Sequence, residues 1–439
     1  MDTVDLILSP KWLIPVVPKE VCLEHHSIAI NQSRIIDILP TDAISSRYEA
    51  TKHIKLDDHA LIPGLINTHT HAAMSLIRGL ADDKALIDWL NNYIWPTEEK
   101  WVDEKFIEDG VELAIAEMLL SGTTCFNDMY FFPDIMARTA DRLGMRAVTG
   151  LIVLDFPTRW AANADEYLDK GLALFDELRH VELVTATLAP HAPFTVSDQP
   201  LEKVRMLSDE LDLPVHIHLH ETTHEIEHSQ TNYGKRPIAR LEELNLLGPN
   251  LLAVHLTHLL DEEIDLLAEY GINAVHCPQS NMKLASGFCQ LSKLMEKGIN
   301  VGLGTDGAAS NNDLDMMEEM RSAALLAKAV SNNPESLPAY QALELATLSG
   351  ARGLGLADVT GSLEIGKWAD ITAIDLSHPA CQPVFDPISQ IVYTASRQQV
   401  SDVWVAGNQL VEDHKLTQID QHDCLRRARK WQQKISHDS

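Results

Sequence analysis

Two histidines, His69 and His71, close the run Pro63-Gly64-Leu65-Ile66-Asn67-Thr68-His69-Thr70-His71. On an extended strand end, residues two apart point the same way, so both imidazoles can face one point. Neutral imidazoles at that spacing suit a divalent first-row ion, zinc above all. A second cluster, His216-Ile217-His218-Leu219-His220-Glu221, puts three histidines on one face, and spacing alone does not choose among them. A third, Gly304-Thr305-Asp306-Gly307, sets a carboxylate in a Gly-flanked strand end. In isolation an Asp before Gly commonly marks a turn. Three imidazoles and one carboxylate converging on one mouth, however, make an open catalytic metal site with room for water.

Such clusters need a scaffold that brings distant parts of the chain to one rim. Between residues 59 and 357, eight short β-prone runs alternate with helical stretches. The runs are Leu61–Thr68, Thr123–Asp128, Arg146–Ile152, Leu183–Ala189, Pro214–Leu219, Leu251–His255, Asn273–His276 and Asn300–Gly304. Intervening stretches such as Phe106–Leu120 and Gln199–Leu211 are long enough for crossover helices. Eight parallel strands with such crossovers close into a (β/α)8 TIM-type barrel, whose catalytic groups sit at the strands' C-terminal ends. The chemistry-bearing residues gather there. His69 and His71 follow the first run, His191 the fourth, and His218 and Glu221 close or follow the fifth. His255 ends the sixth, His276 ends the seventh, and Asp306 follows the eighth.

Residues 1–58 and 358–420 flank this barrel with further β-prone runs. These are Val4–Leu8, Ser27–Ile30 and Arg34–Leu39 before it, and Ile371–Ile374, Ile388–Thr394 and Val400–Val405 after it. They are expected to pair across the chain as one small composite β-sandwich. Residues 421–439 read as a polar helical tail. A length of 439 residues suits a barrel plus such a second module.

The formal charge of −29 argues against a nucleic-acid partner, because phosphates are met with clustered Lys and Arg. No run resembles a membrane span, and the acidic opening Met1-Asp2-Thr3-Val4-Asp5 lacks the basic start of a signal peptide. Six cysteines, Cys22, Cys125, Cys277, Cys289, Cys381 and Cys424, are scattered without a CxxC pair. That pattern fits reduced thiols in a cytoplasm.

The ordered set PGLINTHTH, HIHLHE, VHLTHL, VHCPQSNMKL and GTDGAASNN resembles the amidohydrolase superfamily, and within it the 5′-methylthioadenosine/S-adenosylhomocysteine deaminases. The resemblance runs over nearly the whole chain. It includes the stretch from Gly361 to Asp370, which is similar to the point where such chains return from barrel to sandwich. It implies that His69, His71 and His218 bind one zinc per chain, with Asp306 as the remaining ligand. It implies Glu221 as the proton shuttle and His255 as a hydrogen-bond partner of the nucleophile. Glu98 and His191 map onto substrate contacts, Glu98 onto the carboxylate that holds the ribose hydroxyls; Glu221 and Asp306 also face the substrate. A dimer is the family's expectation.

The implied reaction is hydrolytic loss of the exocyclic amine from an adenosine-type nucleoside, giving the inosine analogue and ammonia. The chemistry of the residues agrees. Zinc lowers the pKa of bound water toward about 7, which provides a nucleophile for C6 of the purine. Glu221 would protonate N1 and then carry a proton to the leaving amine. One departure concerns the third run, whose stretch Ala147–Ile152 lacks an arginine that some such deaminases carry near there, where it could meet the carboxylate of S-adenosylhomocysteine. Arg159 lies nearby and has two readings, a substitute for that arginine or, the preferred one, a surface residue. Trp89 and Trp95 read as core or lid packing, His276 and Asn281 as braces of the barrel mouth, and His216 and His220 as packed residues.

The same metal site would serve a guanine, pterin or triazine aminohydrolase, or a chlorohydrolase. Glu98 discriminates, since a bare base has no ribose diol to bind. A metal-binding or scaffold protein without catalysis is the other class. The presence of Glu221, His255 and Asp306 argues against it.

Overall fold

In the computed structural model, which describes residues 1–437, the chain changes sheets at Gly64. The expected strand Leu61–Thr68 divides there. Leu61–Pro63 pair with Ile371–Ala373 in a sheet built from the chain's two ends, whereas Leu65 begins the barrel. The Gly64 N–H donates to the Asp370 carbonyl at 3.0 Å, and the next N–H, of Leu65, turns to the Gly122 carbonyl at 3.0 Å. A Cβ on Gly64 would stand 2.0 Å from Thr124 Oγ1, so glycine is required by close approach.

Eight parallel strands then lie side by side in chain order. They are β1 (Leu65–Thr70), β2 (Thr123–Asp128), β3 (Arg146–Val153), β4 (Val184–Pro190), β5 (Val215–Leu219), β6 (Leu251–His255), β7 (Asn273–His276) and β8 (Asn300–Leu303). Nearly every residue in them is buried, polar ones such as Asn67, Thr68, Asn127 and His216 included. Side chains and one backbone bond return β8 to β1. Thr68 Oγ1 donates to the Leu303 carbonyl at 2.7 Å, and Asn67 Oδ1 accepts the Thr305 N–H at 3.0 Å. The Asp306 N–H donates to the His69 carbonyl at 3.0 Å.

The terminal segments form one mixed sheet of nine strands. Its long central strand, Tyr48–Pro63, runs parallel to Asp2–Leu13 and antiparallel to Ile371–Asp375, so the two ends of the chain meet. One apolar cluster, including Leu8, Ile28, Ile35, Ile371 and Trp404, draws on both halves of that sheet. Arg146, at the start of β3, pairs with Asp370 (Nε to Oδ2, 2.7 Å) inside the protein and ties barrel to sheet. Asp370 also accepts the Ala406 N–H, the kind of added bond a buried ion pair needs.

The run Ile388–Thr394, expected as a strand, is instead the helix Pro387–Tyr393. Asp386 caps it by accepting the Ile388 N–H at 2.9 Å, and Pro387 occupies the first turn. Ile388, Ile391 and Val392 then bury one face at i, i+3, i+4 spacing. The tail helix Gln421–His437 docks on the barrel helix Glu104–Leu120. Trp431 Nε1 donates to Asp109 at 3.0 Å, and Arg427 pairs with Asp109 and Glu112. Positions 438 and 439 of the expected tail lie outside the described residues. Among the described residues, no helix is long and apolar enough to cross a membrane.

Candidate active site and metal centre

Alternation along the extended end of β1 turns His69 and His71 to the barrel mouth, where β5 and the end of β8 bring His218 and Asp306. One ligand atom from each of the four lies within 4.8 Å of the others. Asp306 Oδ1 stands 3.3 Å from His69 Nε2 and 3.2 Å from His71 Nε2. His218 Nε2 is 3.2 Å from His69 Nε2.

Backbone carbonyls fix the tautomers. His71 Nδ1 donates to the Met129 carbonyl at 2.6 Å, and His218 Nδ1 donates to the His191 carbonyl at 2.7 Å. A carbonyl only accepts, so each ring carries a proton on Nδ1 and turns Nε2 to the centre. His69 Nδ1 lies 3.0 Å from His216 Nε2, which places His216 directly behind the first histidine.

The electrostatics ask for a cation. Burial lowers the His69 imidazole to about 4 and holds His218 well below its ordinary value, so both are neutral. Burial also acts to lower His71, but contact with Asp306 and the Met129 carbonyl outweighs it, and His71 rises to about 9. Burial acts to raise Asp306, and the two histidines more than reverse it, so its carboxyl stays well below the usual range. An anionic carboxylate among neutral imidazoles calls for one positive charge, which a proton on His71 or a divalent ion supplies. Three nitrogens and one oxygen are a donor set suited to zinc.

Asp306 is held hard. Its other oxygen, Oδ2, accepts the hydroxyls of Ser280 at 2.6 Å and Ser310 at 2.9 Å. Its backbone lies in the left-handed region (φ 63°), as do those of His220 (54°) and His255 (78°). Three such residues at strand ends are strain stored at the mouth. His255 Nδ1 donates to Asn281 Oδ1 at 2.9 Å, leaving Nε2 to face Glu221 Oε2 at 3.9 Å. Burial raises the Glu221 carboxyl above its usual value.

These groups floor a cavity of about 880 Å³. Glu98, from the helix Trp95–Trp101, lines the same cavity and accepts the Tyr130 hydroxyl at 2.6 Å. Burial lifts Glu98 to about 7 against that hydrogen bond. His191 borders the cavity too, its ring 4.8 Å from that of His218. Trp89, Trp95 and Phe156 supply aromatic wall; Arg159 is exposed, as read from sequence, and also borders the cavity, where it donates to the Lys100 carbonyl at 2.6 Å. His220 turns away, its ring between the Ile238 N–H and the His258 carbonyl. His276 is buried outside the cavity wall, whereas Asn281 reaches the site through His255.

Four partners escaped sequence reasoning. Tyr130 orients Glu98, while Ser280 and Ser310 hold Asp306. Asp128, at the end of β2, accepts the Ala72 N–H and the Thr70 hydroxyl, bracing the backbone on both sides of His71. Position at a strand end was the one signal available for Tyr130 and Asp128.

A parallel barrel whose rim gathers three imidazoles and a carboxylate under one cavity defines a metal-dependent hydrolase. The chain belongs to the amidohydrolase family, whose model matches residues 60–410. It is 48% identical over 431 residues to a 5-methylthioadenosine/S-adenosylhomocysteine deaminase of Saccharophagus degradans, covering 98% of this chain and 97% of that one. The crystal structure of an adenosine deaminase from Xanthomonas campestris with bound zinc superposes with a TM-score of 0.98 at 46% identity, covering 99% of each chain. An atrazine chlorohydrolase from Arthrobacter aurescens, crystallised with zinc, gives 0.91 at 24% identity over 97% of this chain and 99% of that one. That likeness speaks to the fold alone.

Proposed function

We propose that this chain is a zinc-dependent deaminase of adenosine-type nucleosides, 5′-methylthioadenosine and S-adenosylhomocysteine foremost, yielding the inosine analogue and ammonia. One observation carries the reading: a single cavity is lined both by His71, His218 and Asp306 of the metal-capable cluster, with His69 fully buried beside them, and by Glu98, a carboxylate pre-oriented by Tyr130. The similarity to deaminases over almost the full chain supports it.

In this reading His69, His71, His218 and Asp306 hold the zinc. When bound, zinc supplies a water acidic enough to act as a nucleophile at neutral pH. Glu221, its carboxyl raised by burial, would take the first proton of the attacking water and deliver it to N1 of the purine. His255 offers Nε2 as a hydrogen-bond partner beside it, and Asp306 would take the water's second proton, which passes on through Glu221 to the departing amine and leaves both carboxylates as they began. Glu98 accepts hydrogen bonds from the ribose hydroxyls, while His191 borders the bound nucleoside. The wall beyond Glu98 provides apolar rings, Trp95 and Phe156, for a methylthio arm and one guanidinium, Arg159, for a carboxylate-bearing arm. The six unpaired thiols support a cytoplasmic setting, and a homodimer is the assembly expected of the family.

The test is ammonia release from adenosine, methylthioadenosine, S-adenosylhomocysteine, guanine and a triazine by zinc-loaded protein. Preference for the nucleosides supports the reading. Preference for guanine or the triazine overturns it in favour of a base or triazine hydrolase.

A further inference from the structure

The sequence Thr222-Thr223-His224-Glu225 has the form of a capping box, in which a Glu three residues into a helix reaches back to the cap residue's own N–H. The helix Thr223–Tyr233 does start there, with Thr222 as its cap. The Glu225 carboxylate, however, reaches past Thr222 to the two peptides before it. Oε1 accepts the His220 N–H at 3.0 Å, and Oε2 accepts the Glu221 N–H at 2.8 Å.

The same turn is gripped from its other side. The Thr257 N–H donates to the His220 carbonyl at 3.0 Å, and the Thr257 hydroxyl donates to the Glu221 carbonyl at 2.7 Å. Thr257 lies two residues beyond His255. One frame of hydrogen bonds therefore spans Glu225, the 220–221 turn and the end of β6, and it carries both Glu221 and His255. The turn needs holding, because His220 is a non-glycine residue in the left-handed region (φ 54°). Such a conformation persists where its surroundings over-determine it. Glu225 is 1% exposed, and burying a carboxylate costs far more than a helix cap demands, since Thr222 already caps.

We infer that Glu225 is a positioning residue for proton transfer: it fixes the peptide from which Glu221 projects, so that the shuttle carboxylate meets His255 and Asp306. The inference rests on the reading of Glu221 as the shuttle. Glu225→Gln keeps the shape but turns an amide N–H against one of the two peptide N–H groups. With zinc-loaded enzyme and whichever panel substrate the parent turns over fastest, kcat should fall about 10–10²-fold, the scale of a small misplacement of a reacting group. KM should stay within about 3-fold and zinc content unchanged. In the Glu221→Gln background the same substitution should add less than about 2-fold, because it acts through Glu221. Thr257→Val, which loosens the turn from the other side, should show the same pattern and serves if Glu225→Gln does not accumulate as folded protein.

Full loss in the Glu221→Gln background, or loss of zinc, assigns Glu225 to the fold and overturns the inference. Unchanged kcat in Glu225→Gln beside a crippled Glu221→Gln enzyme overturns it alone. Near-parent kcat in Glu221→Gln overturns the shuttle reading and the inference with it.

Discussion

The backbone N–H of Asp306 donates to the carbonyl of His69 at 3.0 Å, and the same two residues face each other through Oδ1 and Nε2 at 3.3 Å. The contact that brings the end of β8 back to β1 is thus also the contact that assembles the metal centre. Site geometry is inherited from barrel closure rather than from a mobile loop, which suits a reaction that depends on preorganised groups.

Glu221 stands beside His255 without belonging to the four-residue cluster. Glu221→Gln should therefore retain zinc and lose about 10²-fold or more in kcat, the scale of a positioned acid/base. Metal analysis and steady-state kinetics of the variant check both halves. Loss of zinc would make Glu221 a ligand instead.

Glu98 is expected to take hydrogen bonds from both ribose hydroxyls, each worth about 1.5–3 kcal/mol to a charged acceptor. Glu98→Ala should cut kcat/KM for adenosine-type nucleosides by roughly 10²–10⁴-fold. The 2′,3′-dideoxy analogue should already be poor with the parent enzyme and suffer much less from the substitution. That non-additivity marks direct contact. Equal losses on both substrates would reduce Glu98 to a structural role.

Burial lifts the Glu98 carboxyl to about 7, with the Tyr130 hydrogen bond opposing. Below that pH the group is protonated and a weaker acceptor; above it the carboxylate takes both hydroxyls. For a nucleoside, kcat/KM should rise with pH through about 7 and then level. In kcat the limb should move to lower pH, because bound hydroxyls favour the ionised form. Glu98→Gln should lose that part of the acid limb. An unchanged kcat/KM profile in Glu98→Gln would assign the limb to another group.

Gly64 offers a test of the fold. A Cβ there would stand 2.0 Å from Thr124 Oγ1 and 2.5 Å from Thr124 Cβ, so a rotamer change in Thr124 gives no relief. Gly64→Ala should destabilise by about 3 kcal/mol or more, at or beyond the upper range for overpacking. Denaturant unfolding measures it, and a variant as stable as the parent would contradict the described crossing between sheets.

Legibility followed the range of the physics. His69 and His71 could be read because strand alternation is local, and the barrel could be read because its parallel strands are short β-prone runs at helix-length intervals. Spacing left His216, His218 and His220 equivalent. The fold separates them: His216 sits behind His69, His218 is tied to the His191 carbonyl, and the left-handed backbone of His220 turns its ring away. Resemblance, not spacing, chooses His218 among the three. Ile388–Thr394 misled because its branched apolar residues suit a strand, whereas Asp386-Pro387 starts a helix that buries the same residues. Glu225 was hidden behind a capping-box pattern whose carboxylate goes elsewhere. Tyr130 carries no motif, and its contact with Glu98 depends on packing between distant segments.

The most direct test is a zinc titration of metal-stripped enzyme, followed by ammonia release from methylthioadenosine. Activity should be absent without metal, rise in proportion to bound zinc, and saturate at about one zinc per chain, as a single four-ligand centre requires. Full activity in the rigorously metal-free protein, or zinc bound without any release of ammonia, would contradict a zinc-dependent nucleoside deaminase.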